Sequence, residues 1–119
     1  MVKSKRSEKV GDLIRKEISQ ILLEELKDPR IGFVTITKVA LSDDLRIAKV
    51  YYSVFGGKQD KEASCEGLES AKGYIKRELG KRVRLKYMPE ITFIFDDSLE
   101  YGEHIEGLLR DVKHAEGEH

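Results

Sequence analysis

Apolar residues recur three and four apart between Ser7 and Leu26, where Val10, Ile14, Ile18, Ile21 and Leu22 share one side of a helix and Lys9 and Lys16 lie opposite. This predicts a first helix. It should stop at Asp28-Pro29-Arg30, because proline disfavours helical backbone in the residue before it and has no N–H to donate. Gly32 then gives the turn. The runs Phe33 to Leu41 and Arg46 to Phe55 are rich in β-branched and aromatic residues, and in the second Ala48, Val50, Tyr52 and Val54 alternate with Ile47, Lys49, Tyr51 and Ser53. Two strands are predicted, joined as an antiparallel hairpin at Ser42-Asp43-Asp44, whose side chains hydrogen-bond their own backbone in tight turns. Gly56-Gly57 ends the second strand.

Helical spacing returns with Leu68, Ala71, Ile75 and Leu79. Gly73 interrupts it, and glycine inside a helix costs about 1 kcal/mol relative to alanine. A bend or a close backbone approach is therefore expected there, with two helices meeting at Ala71-Lys72-Gly73. After Pro89, the segment Ile91 to Phe95 reads as a third strand with Ile91, Phe93 and Phe95 on one face. Asp97-Ser98, with Glu100 three residues after Asp97, should cap a last helix whose apolar stripe is Ile105, Leu108, Leu109 and Val112. His114 to His119 should fray.

The predicted class is α+β, in the order helix, strand, strand, helix, helix, strand, helix. A length of 119 residues without repeats or linkers implies one domain over residues 1–119, its core about 7–113 with short flexible termini. Twenty-two basic residues balance twenty-two acidic ones, so total charge gives no support to nucleic-acid binding and distribution must decide. From Lys72 to Lys86 the chain carries Lys72, Lys76, Arg77, Lys81, Arg82, Arg84 and Lys86 against the single acid Glu78, whereas the stretch beyond Phe95 is mostly acidic. If the helix after Gly73 is regular, Arg77, Lys81 and Arg84 project away from Ile75 and Leu79, with Lys72 and Lys76 on the flank. Such a stripe binds phosphate, orienting the protein without reading bases. Lys5, Arg6, Lys9 and Lys16 extend it, although Lys3 to Lys9 also fits a disordered terminus.

One cysteine, Cys65, excludes an intrachain disulfide and suits a reducing compartment. Its place on or beside the apolar side of its helix, with no activating base, favours packing over nucleophilic chemistry. Neither a signal peptide nor a membrane span is evident, so a soluble cytoplasmic protein is expected. Asn and Trp are absent and charged residues abundant, a bias thermophilic proteins often show. Gly56-Gly57-Lys58 lacks the phosphate-loop pattern and reads as a turn. Asp43-Asp44 and Asp96-Asp97 sit where aspartate serves turns and caps, yet with His104 they leave a metal-dependent hydrolase or nuclease as a competing class. His104 lacks a ligand partner at metal-binding spacing, so no metal and no cofactor is expected. Tyr51, Tyr52, Phe33, Phe93 and Phe95 could stack bases only on an open sheet, and helices on one face should bury many of them.

The ordered set Leu26-Lys27-Asp28-Pro29-Arg30-Ile31-Gly32, Val34-Thr35-Ile36-Thr37, Ala48-Lys49-Val50-Tyr51, Ala71-Lys72-Gly73, Met88-Pro89-Glu90-Ile91-Thr92-Phe93 and Asp96-Asp97-Ser98 resembles the ribosome-binding factor A family over nearly the whole chain. The resemblance implies a KH-like type II domain, with helices on one face of a three-stranded sheet. Ordinary KH domains clamp about four nucleotides with a Gly-x-x-Gly loop. Here Ala71-Lys72-Gly73 takes that place as an interhelical kink, so the clamp does not transfer. The resemblance further implies a non-enzymatic assembly factor that binds 16S ribosomal RNA near its 5′ terminal helix on the immature 30S subunit. It would assist late maturation and rRNA processing, especially in the cold, acting as a monomer, with assembly GTPases and ribosomal proteins as further partners. A protein–protein adaptor working through the acidic last helix is the alternative.

Overall fold

A computed structural model describes residues 5–32 and 34–97. In chain order these form α1 (Lys5–Glu24), a short 3-10 turn (Pro29–Ile31), β1 (Val34–Leu41), β2 (Ile47–Val54), α2 (Lys58–Arg82) and β3 (Glu90–Phe95). β2 is the central strand. It pairs antiparallel with β1 through the hairpin and parallel with β3, with Val50 opposite Val39 on one side and Phe93 on the other. A parallel neighbour cannot be reached by a tight turn, so α2 is the crossover that carries the chain to β3. The arrangement is α+β, KH-like type II. The predicted last helix lies outside the described residues, as does Phe33.

The core lies between the helices and one face of the sheet. Ile14, Ile18 and Ile21 of α1, Leu68, Ile75 and Leu79 of α2, and Ala48, Val50, Tyr52 and Ile91 of the sheet are all buried. Each large apolar side chain removed from water contributes roughly 1.5–3 kcal/mol. Alternation along β2 is as expected as far as Tyr52; beyond it Ser53 is buried and Val54 only half-buried. Tyr52 is buried edge-on against Phe93 and Phe95, at centroid separations of 6.5 and 5.8 Å. Burial, and then the Cys65 thiol, push the Tyr52 hydroxyl up to about 12. Cys65 itself is exposed, which corrects the packing role expected of it, because its position on α2 falls just beyond the buried stripe.

The predicted helix stop is a small structure of its own. Asp28 Oδ1 accepts from the Arg30 backbone N–H at 2.9 Å, and its carboxylate is gripped by the Arg30 guanidinium at 2.7–3.1 Å. That guanidinium holds the Asp28 carboxyl below its usual 3.8. The turn then docks on α2: Ser64 Oγ donates to the Arg30 carbonyl at 2.9 Å, and buried Ile31 packs over Gly67. A Cβ on Gly67 would lie 2.8 Å from Ile31 Cγ1, and one on Gly11 would lie 2.9 Å from the Val39 carbonyl oxygen. These two glycines let α2 and α1 approach their neighbours.

Gly73 does not play that role. A Cβ there would meet nothing within 4 Å, and α2 is helical without a break through Ala71-Lys72-Gly73. One helix therefore replaces the two expected. Its buried residues on both sides of Gly73, Leu68 before and Ile75 and Leu79 after, pack as one stripe and offset the weak helical preference of a single glycine. At the start of α2, Asp60 Oδ2 accepts from the Gly57 N–H at 2.9 Å, and Gly56 has φ +141°, so Gly56-Gly57 is a turn and helix entry.

Candidate nucleic-acid interface

The sequence-predicted cations of the Lys72–Lys86 segment occupy three different surroundings. Arg82 is turned towards α1 and keeps 27% of its side chain in solvent. It lies seven residues after Ile75, two helical turns further on the same side, and pairs with Glu17 of α1 and with Glu25 just beyond its end, where Tyr74 Oη also donates to Glu25 Oε1 at 3.0 Å. Arg82 therefore ties α2 to α1 and the turn after it, which removes it from the basic run Lys72 to Lys86 that was read as binding RNA. Lys72 and Lys76 face β3. Lys72 pairs with Glu69 at 3.1 Å with its ammonium 6.0 Å from the Phe93 ring centre, and Lys76 lies 3.6 Å from Glu90.

Arg77, Lys81, Arg84 and Lys86 point outward and are exposed. Lys81 pairs with Glu78 at 3.0 Å yet keeps 69% of its side chain in solvent. Arg77 and Arg84 have no ion pair among the described residues. Arg84 does not extend the helix as expected, since α2 ends at Arg82 and buried Val83 turns extended to enter the core. It projects instead from the loop before β3. Ala71 is half-buried against the core and Gly73 is exposed. On α1, Lys9 and Lys16 lie exposed on the side away from Ile14 and Ile18. Arg6 lines a cleft with residues of the β1–β2 turn and of the loop before β3.

Two members of that cleft were missed by the sequence reading. Arg46 stacks on Tyr87, its guanidinium carbon 4.1 Å from the ring centre, and the Lys86 ammonium lies 5.5 Å from the same ring. Tyr87 is half exposed. A tyrosine flanked by lysine, after a helix rich in cations, was the available signal.

Asp44 and Asp96, one from each aspartate pair that suggested hydrolysis, are engaged elsewhere. Asp44 accepts from Ser42 Oγ and the Arg46 N–H, and Asp96 accepts from Thr37 Oγ1 at 2.7 Å while its own N–H donates to the Tyr52 carbonyl. Among the described residues no group of three His, Cys, Asp or Glu side chains could hold a metal ion, and no helix is long and apolar enough to cross a membrane. His104 lies outside the described residues.

The molecule is thus a KH-like α+β domain that lacks the Gly-x-x-Gly clamp and instead turns a ridge of cations outward from its crossover helix and the loop beyond. The ribosome-binding factor A pattern matches residues 6–109. The chain belongs to the ribosome-binding factor A family. It is 50% identical over 115 residues to ribosome-binding factor A of Halothermothrix orenii, covering 97% of this chain and 94% of that one. With the protein of the same name from Citrifermentans bemidjiense it shares 52% over 108 residues, 91% of each. A Thermotoga maritima protein solved by solution NMR superposes with a TM-score of 0.67 at 35% identity, over 79% of this chain and 90% of that one. A homology model of Thermus thermophilus ribosome binding factor A, fitted into a cryo-EM map of its 30S complex, shares the fold at a TM-score of 0.62 and 24% identity, over 73% of this chain and 91% of that one. Family membership makes this a ribosome-associated factor.

Proposed function

We propose that the protein binds the immature 30S subunit through the phosphates of 16S rRNA near its 5′ terminal helix and assists late maturation and rRNA processing. The observation that carries this reading is the outward placement of Arg77, Lys81 and Arg84 on a protein of this family. The 30S complex of the Thermus thermophilus relative supports the same partner. No chemistry is asked of the side chains. The factor acts without cofactor or catalysis, as a monomer in the cytoplasm, with its largest effect in the cold, where misfolded RNA is slow to rearrange.

Ion pairing within the ridge does not disable it. Exposed pairs such as Lys81–Glu78 contribute about 0–1 kcal/mol, so an incoming phosphate can replace the glutamate. Each phosphate neutralised releases counterions, and affinity falls steeply with salt. Structured RNA is recognised by shape through phosphates and 2′-hydroxyls, which suits a factor that must recognise a particle.

Co-sedimentation with precursor and mature small subunits at two salt concentrations tests the reading. Reversing Arg77, Lys81 and Arg84 to glutamate should abolish binding to the precursor while leaving the melting temperature in place. Undiminished binding by the reversed protein would refute the ridge. An adaptor acting through the acidic last helix predicts instead an association that survives nuclease treatment.

A further inference from the structure

The turn between β1 and β2 is held more firmly than a connection between strands requires. Ser42 Oγ accepts from the backbone N–H groups of Arg46 and Ile47 at 3.2 and 3.0 Å and donates to Asp44 Oδ1 at 2.7 Å. Asp44 Oδ1 accepts a further bond from the Arg46 N–H at 3.0 Å. Leu45 is in the left-handed region, with φ +61°, a conformation that side chains with a Cβ adopt only when their surroundings impose it. On the other side the Arg46 carbonyl accepts from the Glu90 N–H at 2.8 Å. Arg46 is thus fixed from both directions, and its guanidinium is laid on Tyr87 at 4.1 Å. Arg6 and Lys86 stand beside it in a cleft of about 310 Å³, with Asp43 and Asp44 on the rim.

A guanidinium stacked on an aromatic ring keeps its in-plane N–H donors available, and those donors match two oxygens of a phosphate. Stacking also restricts the side chain before the ligand arrives, so less freedom is lost on binding. The rim acids offset this charge only in part: Asp44 gives an oxygen to the Ser42 hydroxyl and the Arg46 N–H, which hold its carboxyl below the usual range and keep it ionised. Three cations remain against two carboxylates, and Lys86 continues the chain that carries Arg84.

We propose that this cleft is a phosphate clamp for the RNA backbone, with Arg46 as the ligand-holding group, Tyr87 as its platform, and Arg6 and Lys86 as supporting charges. The inference rests on the RNA-binding reading above and extends the contact from α2 across the β1–β2 turn.

The test is equilibrium binding of precursor small subunits over a salt series, with melting temperatures confirming that each variant is folded. Arg46→Ala should weaken binding about tenfold, the loss expected for a charge-assisted hydrogen bond, and lower the salt slope by about one. Arg46→Lys should recover only part, since an ammonium keeps the charge without the planar fork. Tyr87→Leu should resemble Arg46→Ala, and Tyr87→Phe, which keeps the ring, should retain more of the affinity than Tyr87→Leu. Parental affinity and salt slope in Arg46→Ala, or full recovery by Arg46→Lys, would overturn the clamp while the α2 ridge stands if reversal of Arg77, Lys81 and Arg84 still abolishes binding. A parent protein that does not bind precursor subunits overturns both.

Discussion

Two helical glycines of α2 have opposite meanings, and their positions relative to the apolar stripe tell them apart. Gly67 lies four residues before Ala71 and eight before Ile75, on the buried side, while Gly73 lies two from each and faces solvent. Adding a methyl at Gly67 forces it into Ile31, an overpacking cost of about 1–3 kcal/mol that outweighs the up to 1 kcal/mol gained in helical preference. Gly67→Ala should therefore lower stability by about 1–2 kcal/mol. Gly73→Ala should raise it by about 0.5–1 kcal/mol, because nothing obstructs the new carbon and the unfolded chain loses freedom. Urea unfolding of the two variants measures both signs, and a gain at Gly67 would show that the docking of the 3-10 turn is loose. The glycine expected to permit close approach was thus the wrong one of two, although spacing alone distinguishes them. What faces each glycine was not legible, since the Ile31–Gly67 contact joins segments far apart in sequence.

At the scale of elements, periodicity placed α1, the hairpin and β3 to within a few residues, because apolar spacing reports directly which face is buried, but it divided α2 into two helices and marked its stripe only from Leu68 onward. Charges were read less well. The spacing shows that Arg82 falls on the inner side of α2, but that it meets Glu17 and Glu25 depends on how α1 packs, which no local pattern contains. Glu25 Oε2 is buried, and Arg82 is the cation facing it. Truncating Arg82 to alanine would leave that oxygen uncompensated, so a loss of about 1–3 kcal/mol is expected. Arg77→Ala should change stability by less than about 0.5 kcal/mol. Thermal melts of the two proteins decide the division between structural and available cations, and equal losses would return Arg82 to the surface group.

For the whole molecule, zero net charge conceals a segregated one. The α+β order was legible from alternating periods, and the resemblance supplied helices on one face of a three-stranded sheet, whereas the central place of β2 and its parallel neighbour come from the structure alone. Segregation predicts that location, and not total charge, governs binding. Arg77→Glu with Arg84→Glu should weaken association with precursor subunits strongly. Lys38→Glu with Lys49→Glu makes the same change in net charge on the sheet surface turned from the helices, and should leave binding within a few-fold of the parent at equal salt. Equal weakening by both pairs would mean that the protein is drawn to RNA by overall charge.

The parallel pairing of β2 with β3 also orders how the chain comes together. The hairpin closes through neighbours a few residues apart, while β3 can join only after residues 55–89 have been gathered into a helix and returned to the sheet. Distant pairings of that kind carry the larger entropic cost and form late. Arg46 and Tyr87 stand on opposite sides of that loop, so the stacked pair comes into being only when the last strand has been added.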